Sequence, residues 1–189
     1  MAATAQTYGM VPYYHPSGQD RARQFNILPA YTTAIYEGSL VKINGTGGGI
    51  ELGDGTTDAL GVFAGCEYID PTGKPVVSNY WPGTASCTQI RAFVYCDTQT
   101  VYKVGVSANG ANFTQDVIGG EVDIASPTTG STTTGKSTSS VTATPGAAVA
   151  QVQVLQFVDN APYDATTNPF PELLVRLSQS QVAGDKTGV

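Results

Sequence analysis

Residues 34–68, AIYEGSLVKINGTGGGIELGDGTTDALGVFAGCEY, alternate short β-branched runs with glycine-rich turns, and this alternation limits the chain to strand-built folds. Ile35, Leu40, Val41 and Ile43 suit a half-buried strand, and Asn44-Gly45 is a turn dipeptide. Ile50 to Leu52 resumes the strand and Leu60 to Phe63 begins another. The pattern predicts a hairpin followed by a third strand, with no catalytic group in the stretch.

The same grammar continues downstream. Asp70-Pro-Thr-Gly73 is a turn, followed by a short strand at Pro75 to Val77. Thr88 to Cys96 sets Ile90, Ala92, Val94 and Cys96 against Gln89, Arg91, Phe93 and Tyr95, and Thr100 to Val106 repeats the alternation. The short linker Asp97-Thr-Gln99 predicts that these two strands pair as a hairpin. Val117 to Ile124 reads as a strand bent at Gly119-Gly120, and Ala148 to Val158 and Leu173 to Leu177 close the series. No segment keeps a 3.6-residue period beyond about two turns. The expected fold is therefore all-β: a small β-barrel or sandwich with an extended N-terminal arm, long loops and little helix.

At 189 residues one sizeable core is the expectation. Residues 1–28 hold Tyr8, Met10, Val11, Tyr13, Tyr14 and Phe25 among Gly9, Pro12, Pro16 and Gly18. That apolar content is too high for a disordered tail and the prolines keep the segment extended. It reads as an arm whose Tyr8, Tyr13, Tyr14 and Phe25 dock on a neighbouring subunit or partner, the competing reading being an arm packed on its own domain. Residues 29–178 form a single β-rich domain in this reading. Within it residues 126–140, SPTTGSTTTGKSTSS, are expected as an exposed loop, and residues 179–189 as a polar tail.

Charge excludes some partners. Charged residues make up only 13% of the chain and the formal net charge is -6, with the basic residues scattered. Arg21 and Arg23 are the one close pair, diluted by Asp20. Nucleic acid and anionic membrane surfaces, which demand clustered Lys and Arg, are not expected partners. No apolar run reaches the roughly 18 residues that span a bilayer, and MAATAQTYGM lacks a secretory pattern, so a chain made and kept in the cytosol is expected. Cys66, Cys87 and Cys96 match no zinc or CxxC spacing and read as buried thiols, with a Cys87–Cys96 disulfide as the alternative in an oxidising exterior.

Candidate sites are few. His15, the only histidine, has no second imidazole and no set nucleophile, and reads as an interface contact. Asp54 and Asp58 lie in a loop that departs from the EF-hand spacing with no bidentate glutamate following, and an Asp-Gly hairpin turn explains them more simply than a cation site. Gly45 to Gly49 lacks the lysine of a phosphate-binding loop. Trp81, with Tyr80 and Asp70, offers an aromatic platform for a sugar, or else a loop anchored to the core. No catalytic, cofactor or metal residue is expected, and the chain does not read as an enzyme.

Leu60 to Pro82, LGVFAGCEYIDPTGKPVVSNYWP, resembles a group of tailed-bacteriophage structural proteins that share a Gly-Val-Phe-Ala-Gly-Cys-Glu-Tyr core, a Gly-Lys-Pro-Val turn and an aromatic-Trp-Pro. The likeness extends through most of residues 30–180. Ile35 to Val41 resembles the Gly-x-Leu-Val strand of capsid decoration (cement) proteins, and Ala92 to Tyr102, Gly130 to Thr138 and Leu173 to Leu177 are similar to later parts of the pattern. The resemblance implies a virion structural protein without catalytic residues or cofactor. In its decoration form it implies a homotrimer on the outer capsid surface, bound where major capsid protein subunits meet and stabilising the expanded shell. Another virion part (head-completion, neck or tail) and a carbohydrate-binding adhesion module are the alternatives.

Overall fold

The computed structural model describes residues 8–55, 59–107, 113–125, 127–142, 150–158 and 170–182. Its strands in chain order are β1 (Val11–Tyr14), β2 (Arg23–Asn26), β3 (Ile35–Tyr36), β4 (Leu40–Ile43), β5 (Ile50–Leu52), β6 (Gly61–Ile69), β7 (Pro75–Ser78) and β8 (Tyr80–Trp81). They continue with β9 (Thr88–Tyr95), β10 (Val101–Gly105), β11 (Glu121–Val122), β12 (Ile124–Ala125), β13 (Ser140–Val141), β14 (Val152–Phe157) and β15 (Glu172–Leu177). A single 3-10 turn, Gln115–Val117, is the helical element among the described residues. The all-β class read from the sequence is the observed one.

Two antiparallel sheets dominate. One runs β1-β10-β15-β14-β11 and the other β2-β9-β6-β4-β5, with β7 paired to β6 outside that order. Pairs β3-β8 and β12-β13 form two small ribbons. Of the two architectures expected, the sandwich is realised. The edges of the larger sheet meet only at the Ile27–Ile50 bridge, which does not close a barrel.

The larger sheet is buried on both faces, which is why its strands carry apolar residues at successive positions. On one face Leu40, Val62 and Tyr95 pack with Tyr102, Val104, Val154, Leu173, Val175 and Leu177 of the smaller sheet. On the other, Val41, Phe63, Ala92 and Val94 pack with Ile27, Ile35, Trp81 and Cys87 from the flanking segments. Each fully buried Val, Leu, Ile or Phe among them contributes about 1.5–3 kcal/mol of transfer free energy. In β6 a regular strand would put Phe63 and Cys66 on opposite faces, yet both join the second core. The irregularity at Gly65, where φ is +139°, supplies the extra residue that turns Cys66 inward. Gly61 is required for a different reason: a Cβ there would stand 2.2 Å from the Tyr95 carbonyl oxygen.

The predicted hairpin around Asn44 is present, with Val41 opposite Leu52 and Ile43 opposite Ile50, and β6 is the third strand through Leu40–Val62. The predicted pairing of residues 88–96 with 100–106 is not. β9 has both edges filled, by β2 and β6, while β10 crosses to the other sheet between β1 and β15. The alternation in each strand is correct, but the two apolar faces serve different cores, and the Asp97–Thr100 turn carries the chain across.

The serine- and threonine-rich stretch departs from expectation only in part: Thr128, Thr129, Thr132, Thr133, Thr134 and Lys136 are exposed, as expected of a loop. Its described part, residues 127–140, lies against the domain, with Ser137, Ser139 and Ser140 buried. Burial is tolerated because the polar groups find partners: Ser137 Oγ meets Ser139 Oγ at 2.8 Å and donates to the Thr129 carbonyl, and Glu37 N–H donates to the Gly135 carbonyl. Asn79 Nδ2 donates to the Thr134 carbonyl at 2.8 Å. Residues 8–28, expected as an extended arm, supply the end strands β1 and β2 of both sheets, and residues 1–7 lie outside the described residues. The start of the expected tail is built in as well: Ser180 bridges Ala59, and Gln181 Oε1 accepts the Ile43 N–H at 2.6 Å.

Candidate binding surface

The N-terminal segment is seated by Met10, which is almost fully buried, and by Gly9, whose φ of +74° and close neighbours Ser137 and Gly38 leave no room for a side chain. Gly9 N–H donates to the Ser139 carbonyl and Met10 N–H to the Gly38 carbonyl. Beyond that anchor β1 pairs only with β10, Val11 opposite Lys103 and Tyr14 opposite Val101, with a register irregularity between Pro12 and Tyr14. It is the terminal strand of its sheet, and all four of its residues are exposed. Val11 is 40%, Tyr13 56% and Tyr14 51% accessible, and the two tyrosine rings stand edge to face at 6.0 Å. Pro12 has no backbone N–H, and a proline together with a register irregularity on an end strand discourages indiscriminate strand addition.

Four aromatic residues were expected to contact a partner, and they divide evenly. Tyr13 and Tyr14 are presented to solvent. Tyr8 donates its hydroxyl to Glu172 Oε1, and the Lys103 ammonium, 3.3 Å from the same carboxylate, sits 5.2 Å from the Tyr8 ring centre. Burial, then the Glu172 carboxylate, pushes the Tyr8 phenol far above its ordinary range, so it stays a donor. Phe25 packs on the second core. Both are held by the chain itself and remain half-buried.

The loop joining β1 to β2 spans the place where the chain passes between sheets. Ser17 N–H donates to His15 Nδ1 at 3.1 Å, so a neutral imidazole carries its proton on Nε2, which faces Asp97 Oδ2 at 3.5 Å. The Gln99 N–H, helped by His15, holds the Asp97 carboxyl below the usual carboxylate range. Asp20 accepts from the Thr100 hydroxyl at 3.2 Å through Oδ1, while its Oδ2 meets no donor among the described residues. Burial pushes the Asp20 carboxyl up. His15, Ser17, Gln19, Arg21, Arg23 and Asp97 line a cleft of about 410 Å3 beside these contacts. Sequence reading placed His15 as a contact residue but missed the grouping. The cue was the Arg21/Arg23 pair, dismissed because Asp20 adjoins it in sequence; Asp20 instead turns toward Thr100.

The remaining candidates take structural roles. Trp81 is fully buried, donates Nε1–H to the Tyr31 carbonyl and stands edge-on to Tyr68, so the sugar platform is not available. Asp54 accepts from the Lys42 ammonium at 2.9 Å, and Asp58 lies outside the described residues. Among the described residues no cluster of three or more His, Cys, Asp or Glu is placed to hold a metal, and no helix is long and apolar enough to cross a membrane. Cys66, Cys87 and Cys96 are buried free thiols, and burial pushes Cys66 up to about 12. Away from β1, Val77 on β7 is 82% accessible, and Ile118 and Val182 are exposed as well. No family model matches the chain, and no curated protein or solved structure is found to match it.

Proposed function

We propose that this chain is a capsid decoration protein that binds the outer surface of a phage head where major capsid subunits meet and stabilises the expanded shell. The observation that carries the reading is β1, a terminal strand exposed along its whole length and carrying Tyr13 and Tyr14. Together with the resemblance of residues 60–82, it favours a role in binding. Tyrosines of this kind supply large, stiff contact area. Covering the exposed half of each ring, about 100 Å2, is worth about 2 kcal/mol.

Such a contact is modest alone and becomes sufficient by repetition. A homotrimer holds three copies near one lattice junction, which raises the effective affinity far above that of one site. Binding only the expanded lattice then stabilises that state by mass action. Sedimentation of purified protein with emptied, expanded heads tests the reading: co-pelleting at a copy number close to that of the major capsid protein is expected. Co-pelleting at a few copies per particle would favour a neck or head-completion role, and none at all would overturn the proposal.

A further inference from the structure

We propose that the cleft between the β1–β2 loop and the Asp97 turn receives a carboxylate side chain from an acidic segment of a partner protein. This rests on the binding role above and adds the chemistry of the partner. Arg21 and Arg23 are both exposed at the cleft, and among the described residues neither guanidinium lies within ion-pair distance of a carboxylate. Arg21 is held only by Gln19 Oε1 at 3.1 Å. Lys42 is committed to Glu51 and Asp54, Arg91 to Glu67 and Lys103 to Glu172, while Lys74, Lys136 and Arg176, which also make no ion pair among the described residues, lie outside this cleft. The one carboxylate on the cleft wall, Asp97, faces His15, accepts the Gln99 N–H and feels the Arg23 charge from beyond ion-pair distance.

Two available guanidinium forks in one concavity suit a planar carboxylate, which takes paired N–H donors. The cleft also continues the exposed aromatic edge, because Tyr14 directly precedes His15. Tyrosine and arginine together are the side chains that dominate binding energy at protein interfaces. A nucleic acid is disfavoured because the cleft holds only two arginines, too few to follow a phosphate backbone.

The test titrates the isotope-labelled full chain with a blocked peptide of alternating Asp and Val, its Asn counterpart, and a single-stranded DNA oligonucleotide, following backbone and guanidinium NMR signals. Saturable shifts confined to residues 15–23 and 97–99 are expected with the Asp peptide, and they should fade at high salt. The Arg21→Gln/Arg23→Gln chain should bind it roughly tenfold more weakly. No saturable shift, equal binding of the Asn peptide, equal binding by the double variant, or tighter binding of DNA would each overturn the proposal. Should the double variant fail to fold, the Asn and DNA arms on the unaltered chain still decide. Failure here is separable from failure of the decoration role. If the unaltered chain coats expanded heads and the double variant coats them equally, the cleft assignment falls alone; if neither coats, the broader role falls.

Discussion

Replacing Gly130 by alanine reports directly on whether the serine- and threonine-rich segment is docked. A Cβ at that position would stand 2.2 Å from Cδ2 and 2.3 Å from Cγ of the Tyr36 ring, far inside van der Waals contact. The ring cannot swing aside cheaply. It is buried, and it stacks on Tyr80 at 5.8 Å with planes 13° apart. Overpacking of this kind costs about 1–3 kcal/mol, and unstacking the two rings adds about 0.5–1.5 kcal/mol. In an undocked loop the sign reverses, because Gly→Ala narrows the unfolded ensemble and stabilises by about 0.4–1 kcal/mol. Urea unfolding followed by tyrosine and tryptophan fluorescence measures the difference as a lower midpoint at unchanged slope. Gly45→Ala is the control, since nothing lies within 4 Å of a Cβ there and it should leave the midpoint level or slightly raised. An unchanged or raised midpoint for Gly130→Ala would refute the docking.

Phe63→Ala removes a fully buried ring from the second core and should cost about 3–5 kcal/mol, read from the same unfolding curves. The three thiols should resist a water-soluble disulfide reagent in the native protein and all react in urea, as burial of Cys66, Cys87 and Cys96 requires. Asp20→Asn should raise stability near neutral pH. An acid whose folded pKa lies above its unfolded value of about 3.9 costs stability once pH exceeds that value, so the gain should shrink to nothing as pH falls below it. Thermal melts across pH 3–7 check both the sign and the window.

Local alternation was legible in the sequence, and partner choice was not. Ile90, Ala92 and Val94 do share a face, as do Tyr102 and Val104, but nothing in either strand states that the first set faces one core and the second another. That depends on which edges β6 and β15 leave unfilled. The Ser137–Ser139 region was misread for a related reason: composition reports the cost of burying hydroxyls but not whether carbonyls wait to receive them. The aromatic character of residues 8–25 was visible, whereas the division between presented Tyr13 and Tyr14 and engaged Tyr8 and Phe25 needs the register of β1 on β10 and β2 on β9. Trp81 followed the core-anchoring alternative because its indole N–H found the Tyr31 carbonyl.

A cryo-EM map of expanded heads coated with the purified chain tests the central claim most directly. The account expects density for the sandwich at junctions between major capsid subunits, with the β1 edge and the rings of Tyr13 and Tyr14 turned toward the shell. A map in which the chain sits on the shell through a different face, with β1 open to solvent, would contradict it.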